Sequence, residues 1–182
     1  NQQLIISIAA GISIKNISKW LGNYKHIVRT MPNLVAQIQR SMTALCGAEE
    51  LSQDHKNDAQ SIFNTIGKIL WLNDEFKIDA VTSISGSGPA YVFYFLDSLI
   101  EAGEKVGLSR DEAEYLAHET LIGSAIMSES YLNDLGTLIN NVSSKGGTTE
   151  QAISVLKNKD LKEIIGLAVA SAFKRAIEIG SK

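Results

Sequence analysis

Residues Asp79 to Val106 read DAVTSISGSGPAYVFYFLDSLIEAGEKV, and the organisation of the chain turns on this stretch. Before it, short apolar runs alternate with amphipathic segments. From Asp79 onward no convincing strand follows. Tyr91, Phe95, Leu99, Ala102 and Val106 recur at helical spacing and predict a helix from Pro89 to Val106. Proline suits the first helical position, because its missing N–H has no intrahelical partner there anyway. The chain therefore divides near Asn73 to Asp79, an α/β part preceding an all-helical part.

Upstream, LIISIAA, Leu4 to Ala10, is a short apolar run with the character of a buried strand in a parallel sheet. Ser13 to Leu21 reads as a helix with Ile14, Ile17 and Leu21 on one side and Ser13 as its cap. HIVRTMPN is a second strand, ended by Pro32, and SMTALCG a third, closed by Gly47. Ser52 to Lys68 carries the helical stripe Ala59, Ile62, Phe63 and Ile66, and KILWLN is a fourth strand. Downstream, Ser109 with Glu112 forms a capping box for a helix from about Arg110 to Ser130. Its small residues Ala113, Ala117, Thr120 and Ser124 permit close approach of another backbone. SYLNDLG reads as a helix end and turn. Thr148 with Gln151 is a second capping box, for a helix to about Lys157. Asp160 caps the last helix, whose apolar face is Leu161, Ile164, Ile165, Ala168, Ala172 and Ile179. The predicted fold class is α/β plus all-α: a partial Rossmann-like parallel sheet in residues 1–76, then a helical domain in 77–182.

The chain has 182 residues, 45% hydrophobic and 20% charged, with a net charge of −3. That is long enough for a substantial core, and the scattered positive charge gives no reason to expect nucleic acid as a partner. Cys46 is the only cysteine, so no intramolecular disulfide forms and a reducing, cytoplasmic location is expected. Cys46 itself reads as a small buried hydrophobe, and Trp20 and Trp71 as core or domain-interface residues. His26, His55 and His118 are far apart in sequence, and no metal site is expected. No run approaches the about 18 apolar residues of a membrane span. The opening NQQLIISIAAGISI, without Met, enters a strand almost at once, as though the chain starts inside a domain.

Three stretches invite a chemical reading. NNVSSKGGTTEQAI, Asn140 to Ile153, packs two serines, two glycines and two threonines into the seven positions Ser143 to Thr149. Gly146 and Gly147 allow unusual backbone geometry, and Thr148 and Thr149 begin a helix whose free amides favour an anion. A carboxylate cradle and an ordinary capped helix start weigh about equally on the residues alone. SGSGPAY offers amides at Gly86 and Gly88, but a tight helix entry where glycine admits a neighbouring segment is the better reading. RTMPN and AAG end strands, where open α/β sheets bind ligands. On the residues alone both read as plain strand-to-helix turns. No G-x-G-x-x-G fingerprint occurs in the chain.

Taken in order, SIAAGISI, IVRTMPN, MTAL, the long stretch from Asp79 to Ala113 and NNVSSKGGTTEQAI resemble pyrroline-5-carboxylate reductase over nearly the whole chain. What they resemble is the back two-thirds of that enzyme. The resemblance implies reduction of 1-pyrroline-5-carboxylate to L-proline with NADPH or NADH as cofactor. It implies that the helical domain interleaves with a twin in a homodimer, and that some members build decamers. The site would lie between the nucleotide-binding domain and helical elements that can come from the other subunit. By the same resemblance, Ser144, Gly147, Thr148 and Thr149 bind the substrate carboxylate, with Thr149 also the catalytic residue near the imine nitrogen. Ala10, Met31, Asn33 and Asn141 contact the cofactor. Three departures stand out: Leu34-Val35 in place of Thr-Pro, Gln39-Arg40-Ser41 where glycines are common, and Lys145 where proline is usual.

Two other readings compete. One is a non-catalytic helical dimerisation module, and this chain without the fingerprint is expected to be inactive by itself. The other is a different dehydrogenase with a helical C-terminal domain. That group relies on a lysine, often followed by asparagine, on the first long helix, whereas Lys105 here precedes Val106 near a helix end.

Overall fold

The computed structural model describes residues 3–131 and 134–180. Four strands form one sheet in chain order: β1 (Ile5–Ser7), β2 (Ile27–Met31), β3 (Ser41–Gly47) and β4 (Gly67–Trp71). Between them lie α1 (Ile14–Trp20), a 3-10 turn (Leu34–Ile38) and α2 (Gln53–Asn64). β1 pairs parallel with β2, Ile5 opposite Ile27, and β3 pairs parallel with β4, Ser41 opposite Gly67. β2 and β3 run antiparallel, Met31 opposite Ala44, so the expected parallel sheet is a mixed one. The short connection through Leu34–Ile38 explains this. A parallel crossover takes a dozen or more residues, usually with a full helix.

The first two helices are both capped by serine, the first as predicted. Ser13 accepts from the Asn16 N–H at 3.1 Å and Ser52 from the His55 N–H at 3.2 Å. α2 ends before the expected Lys68 because Gly67 already pairs with β3. A Cβ at Gly67 would lie 2.0 Å from the Ser41 carbonyl oxygen.

Alternation along β3 builds a core on each face of the sheet. Leu45 joins Val28, Leu51, Ala59 and Phe63, with α2 covering that face. Ala44 and Cys46 join Ile78, with Ile14 packed against them from α1. Cys46 is buried as expected. Burial is the main cause that pushes its thiol pKa up, and Glu75 and Asp74 add to the shift. Two expectations fail here. Ile62 faces solvent, because α2 points only Ala59 and Phe63 inward. Trp20 is 67% exposed at the end of α1, which removes the core half of its expected role. His26 and His55, distant in sequence, place their rings 4.7 Å apart. Among the described residues no group of three or more His, Cys, Asp or Glu side chains is arranged to hold a metal.

One buried cation ties this region together. Arg29, 6% exposed on β2, pairs with Glu75 at 3.0 Å and Asp79 at 3.4 Å. Glu75 also accepts from the Ile14 N–H at 2.8 Å, so one carboxylate serves both the strand cation and the start of α1.

Helical structure begins earlier than the sequence suggests. α3 (Lys77–Val81) runs into a π turn (Thr82–Gly86), and α4 (Gly88–Lys105) follows. α5 (Arg110–Ser128), a 3-10 turn (Glu129–Tyr131), α6 (Leu135–Val142), α7 (Thr148–Asn158) and α8 (Leu161–Gly180) complete the chain. The capping box at Ser109 and Glu112 is formed. Asp160 precedes α8 with a positive φ of 49°, its carbonyl accepting from the Ile164 N–H. In SYLNDLG, Leu132 and Asn133 lie outside the described residues, and Asp134 caps α6 by accepting from the Thr137 N–H.

The chain forms two compact units. One holds the residues up to Ala90 together with the stretch from Leu167 onward, and the other is Tyr91–Gly166. In the first, the later part of α8 packs onto the sheet region. Phe173 meets Phe76 edge-on at 5.8 Å, and a Cβ at Gly11 would lie 2.7 Å from Ile179 Cγ2. In the second, Leu96 and Ile100 of α4 bury against Ala113 and Ala117 of α5. The small residues do allow close approach, since a Cβ at Gly103 would lie 2.9 Å from Ala113 Cβ. The buried stripe of α4 is not the predicted one, however. Phe95, Leu99 and Val106 are exposed, and so are Ile164, Ile165 and Ile179 of the predicted α8 face. α4 is apolar on almost every side, so periodicity alone does not say which side faces its own chain. No described helix is long and apolar enough to cross a membrane.

Candidate active site

In the second unit, the loop between α6 and α7 is shaped by its glycines. Gly146 adopts φ +73° and donates its N–H to Glu150 Oε2 at 2.7 Å. Gly147 donates its N–H to the Ser144 carbonyl at 2.9 Å, and a Cβ on Gly147 would fall 2.4 Å from Ser144 Oγ. A larger residue there would displace the Ser144 hydroxyl and crowd its carbonyl.

The predicted cap of α7 needs correction. Gly147, extended at φ −82° and ψ 170°, is the N-cap, with no side-chain cap bond, and Thr148 is already helical. The Gln151 N–H bonds the Gly147 carbonyl, and it is Glu150, not Gln151, that reaches back to a loop amide. Because the Gly147 N–H is engaged by Ser144, the donors left at this helix start are the first-turn amides, those of Thr148 and Thr149 leading, with Glu150 behind them. Neither of the leading two has a partner among the described residues. Thr149 is half-buried and Thr148 exposed. Ser143 Oγ, just before, is buried without a hydrogen-bond partner. Asn141 sits in the last turn of α6, exposed. Thus Asn141, Ser144, Gly147, Thr148 and Thr149 share one short loop and its flanking helix ends. A planar anion finds two outward amides and a hydroxyl there, with the positive end of a helix dipole behind them.

In the first unit, β1 and β2 run side by side in the same direction, so their carboxyl ends lie at one edge of the sheet. Ala10 stands exposed in the turn after β1, next to Gly11 at φ +75°. Met31 ends β2, and Asn33 follows after Pro32. The sheet end therefore gathers all three predicted cofactor residues of this unit, where open α/β sheets receive ligands. A dinucleotide fits what is present. Asn33 Oδ1 is buried and lacks a donor, which a ribose hydroxyl or carboxamide N–H would supply. The predicted helix entry at SGSGP also lies in this unit, and two of its amides are engaged within the chain. The Ser87 N–H is spent on the Thr82 carbonyl at 2.8 Å and the Ala90 N–H on Ser87. Close packing is what its first glycine serves, as a Cβ at Gly86 would lie 2.8 Å from Met31 Cε. Sequence reasoning gave Ser85 no contact with the Met31–Asn33 loop. The signal was Pro89, which cannot donate to the Ser85 carbonyl.

Comparison with known proteins agrees with this arrangement. A family model described as pyrroline-5-carboxylate reductase dimerisation matches residues 75–179. A pyrroline-5-carboxylate reductase of Pseudomonas aeruginosa is 38% identical over the whole chain, which spans 66% of that relative's length. The structure of a pyrroline-5-carboxylate reductase from Coxiella burnetii superposes with a TM-score of 0.93 at 39% identity, covering 98% of this chain and 66% of that one. A Plasmodium falciparum pyrroline carboxylate reductase with NADP bound gives 0.89 at 32% identity, covering 98% and 71%. With its sheet end, its glycine-shaped loop and these likenesses, the chain belongs to the pyrroline-5-carboxylate reductase family.

Proposed function

We propose that these residues serve a reductase that converts 1-pyrroline-5-carboxylate to L-proline with NADPH or NADH. The observation that carries this reading is the pair of unpartnered amides at Thr148 and Thr149 in a loop closed by Gly147. The ring carboxylate accepts hydrogen bonds from those two amides, with Ser144 beside them. Neutral donors suit the task, since a cation there would oppose positive charge on the imine nitrogen. Thr149 Oγ1 lies on the next residue of the same helix turn and orients the proton at that nitrogen. Ala10, Met31, Asn33 and Asn141 hold the dinucleotide, which when bound supplies the hydride. Fixing the ring by its carboxylate presents one face for transfer, and such positioning carries much of the rate gain in reactions of this kind.

The functional division is taken as residues 1–76 for the dinucleotide and 77–182 for dimerisation and substrate. We propose a homodimer as the working unit, with decamers as a higher assembly, in the cytoplasm. The family model for dimerisation and the exposed apolar faces of α4, α5 and α8 support the dimer. This 182-residue chain alone, with no G-x-G-x-x-G, is proposed to be inactive and to act as a dimerisation module.

The test compares proline-dependent reduction of NADP+ by this chain with that of protein expressed from the complete reading frame. Activity is expected only from the latter, and Thr149→Val should lower its kcat by about 10²-fold if the hydroxyl works on the proton. A Thr149→Val protein with unchanged kcat would remove Thr149 from the mechanism. Complete protein without any proline-linked activity would remove the reductase reading.

A further inference from the structure

Pro89 has no N–H, so the Ser85 carbonyl four residues back receives no helical hydrogen bond from it. Asn33 takes the place of that donor. Its Nδ2 donates to the Ser85 carbonyl at 3.1 Å and to Ser85 Oγ at 3.1 Å. Ser85 Oγ donates onward to the Met42 carbonyl at 3.1 Å. The Asn33 backbone N–H donates to Ser41 Oγ at 3.2 Å, and that hydroxyl shares a hydrogen bond with Thr43 Oγ1 at 3.1 Å. The turn that presents Ser85 is a π turn, a form often found at functional positions inside helices. Next to it, Gly86 leaves room for the thioether methyl of Met31, which an added Cβ would meet at 2.8 Å. Both ends of the Met31–Asn33 loop are thus held by two consecutive residues of the π turn. With Nδ2 committed to Ser85, the orientation of the Asn33 amide is fixed and its Oδ1 is left buried without a donor.

We propose that Ser85 and Gly86 are positioning residues for dinucleotide binding, acting through Asn33 and Met31 rather than touching the cofactor. The inference rests on the reading of Met31 and Asn33 as cofactor contacts. Ser85 removes the rotational freedom of the Asn33 amide, and Gly86 sets where the Met31 side chain can lie. The stretch that begins the helical part of the chain thereby shapes the dinucleotide face of the sheet.

The experiment titrates NADPH by fluorescence into protein from the complete reading frame, and measures the KM for pyrroline carboxylate in parallel. Ser85→Ala is expected to raise the NADPH Kd by about three- to tenfold, the worth of a lost hydrogen bond in a positioned network. The KM for pyrroline carboxylate should stay within about twofold, since that loop is untouched. Ser85→Thr, which keeps the hydroxyl, should restore most of the affinity. Gly86→Ala, which displaces only the flexible end of Met31, should also weaken NADPH. A merely structural role would lower the active fraction and leave the Kd of the folded protein unchanged. An unchanged Kd in both Ser85→Ala and Gly86→Ala overturns this inference while the reductase reading stands. Normal NADPH binding, weakened by these substitutions in a protein that reduces no pyrroline carboxylate, overturns the reductase reading and leaves this one standing.

Discussion

The sheet unit and the helical unit both expose apolar side chains, but they differ in how much core each builds. In the first, Val28, Leu45 and Ala59 are completely buried, and helices cover both faces of the sheet. In the second, Leu96, Ile100, Ala113 and Ala117 make one narrow seam, while Phe93, Phe95, Leu116, Ile122, Ile126 and Met127 stay exposed. Large apolar side chains left in water on one helical unit are the kind of surface that interaction sites use. The difference teaches that the sheet unit has a core on each face of its sheet, whereas the helical unit buries only a narrow seam and leaves an apolar face, for which the proposed homodimer supplies the cover. The match of residues 75–179 to a dimerisation model points the same way.

The largest expected effect breaks the helical side of this comparison. Phe95→Asp places a charge on the exposed face of α4, and two-fold symmetry repeats it in the partner. The dimer Kd should rise by at least about 10³-fold, seen by sedimentation velocity, because each buried unpaired carboxylate costs several kcal/mol. Trp20→Ser, at a more exposed position in the sheet unit, should leave the oligomeric state unchanged. Next comes the closed core. Phe63→Ala should cost about 3–5 kcal/mol of unfolding free energy by removing a ring between α2 and the sheet, measured by urea titration. Arg29→Met follows, at about 3 kcal/mol, because it strands Glu75 and Asp79 without their cation. A combined Arg29→Met, Glu75→Leu protein that regains stability would show that the charge, not the packing, decides the cost.

The smallest effects sit at caps. Ser109→Ala should cost about 1 kcal/mol in thermal unfolding. Its partner Glu112 is held below the usual carboxylate range by the Ser109 N–H first and the Ser109 hydroxyl second. A lowered folded-state pKa means that this contribution is complete above the ordinary value of 4.5 and fades as the pH falls below it. The pH dependence between 5 and about 3 should therefore weaken in Ser109→Ala. Asp134, held low by the Thr137 hydroxyl and then its N–H, behaves with the same sign.

What was legible in the sequence follows from the range of the forces involved. Caps act within one helical turn, so Ser13 and Ser109 were read correctly from adjacent residues. The β3 boundaries, Ser41 to Gly47, were likewise plain from a short apolar run closed by glycine. The antiparallel step between β2 and β3 was missed because it depends on how far a short connection can reach. The buried side of α4 was missed because Phe95 and Leu96 are equally apolar, and only the partner surfaces tell them apart. In the candidate site, the loop and its glycines were conspicuous, but the engagement of the Gly147 amide by Ser144 is a backbone matter that side chains do not advertise. The link from Asn33 to Ser85 joins positions 52 residues apart, beyond any local pattern.

The contrast between a closed sheet unit and an open helical unit is tested most directly by amide hydrogen exchange at two protein concentrations spanning the dimer Kd. Protection in β2, β3 and α2 should not change on dilution, while protection in α4 and α5 should fall as the dimer dissociates. If α4 and α5 keep their protection in a chain that sediments as a monomer, the helical unit is complete by itself and the account is wrong.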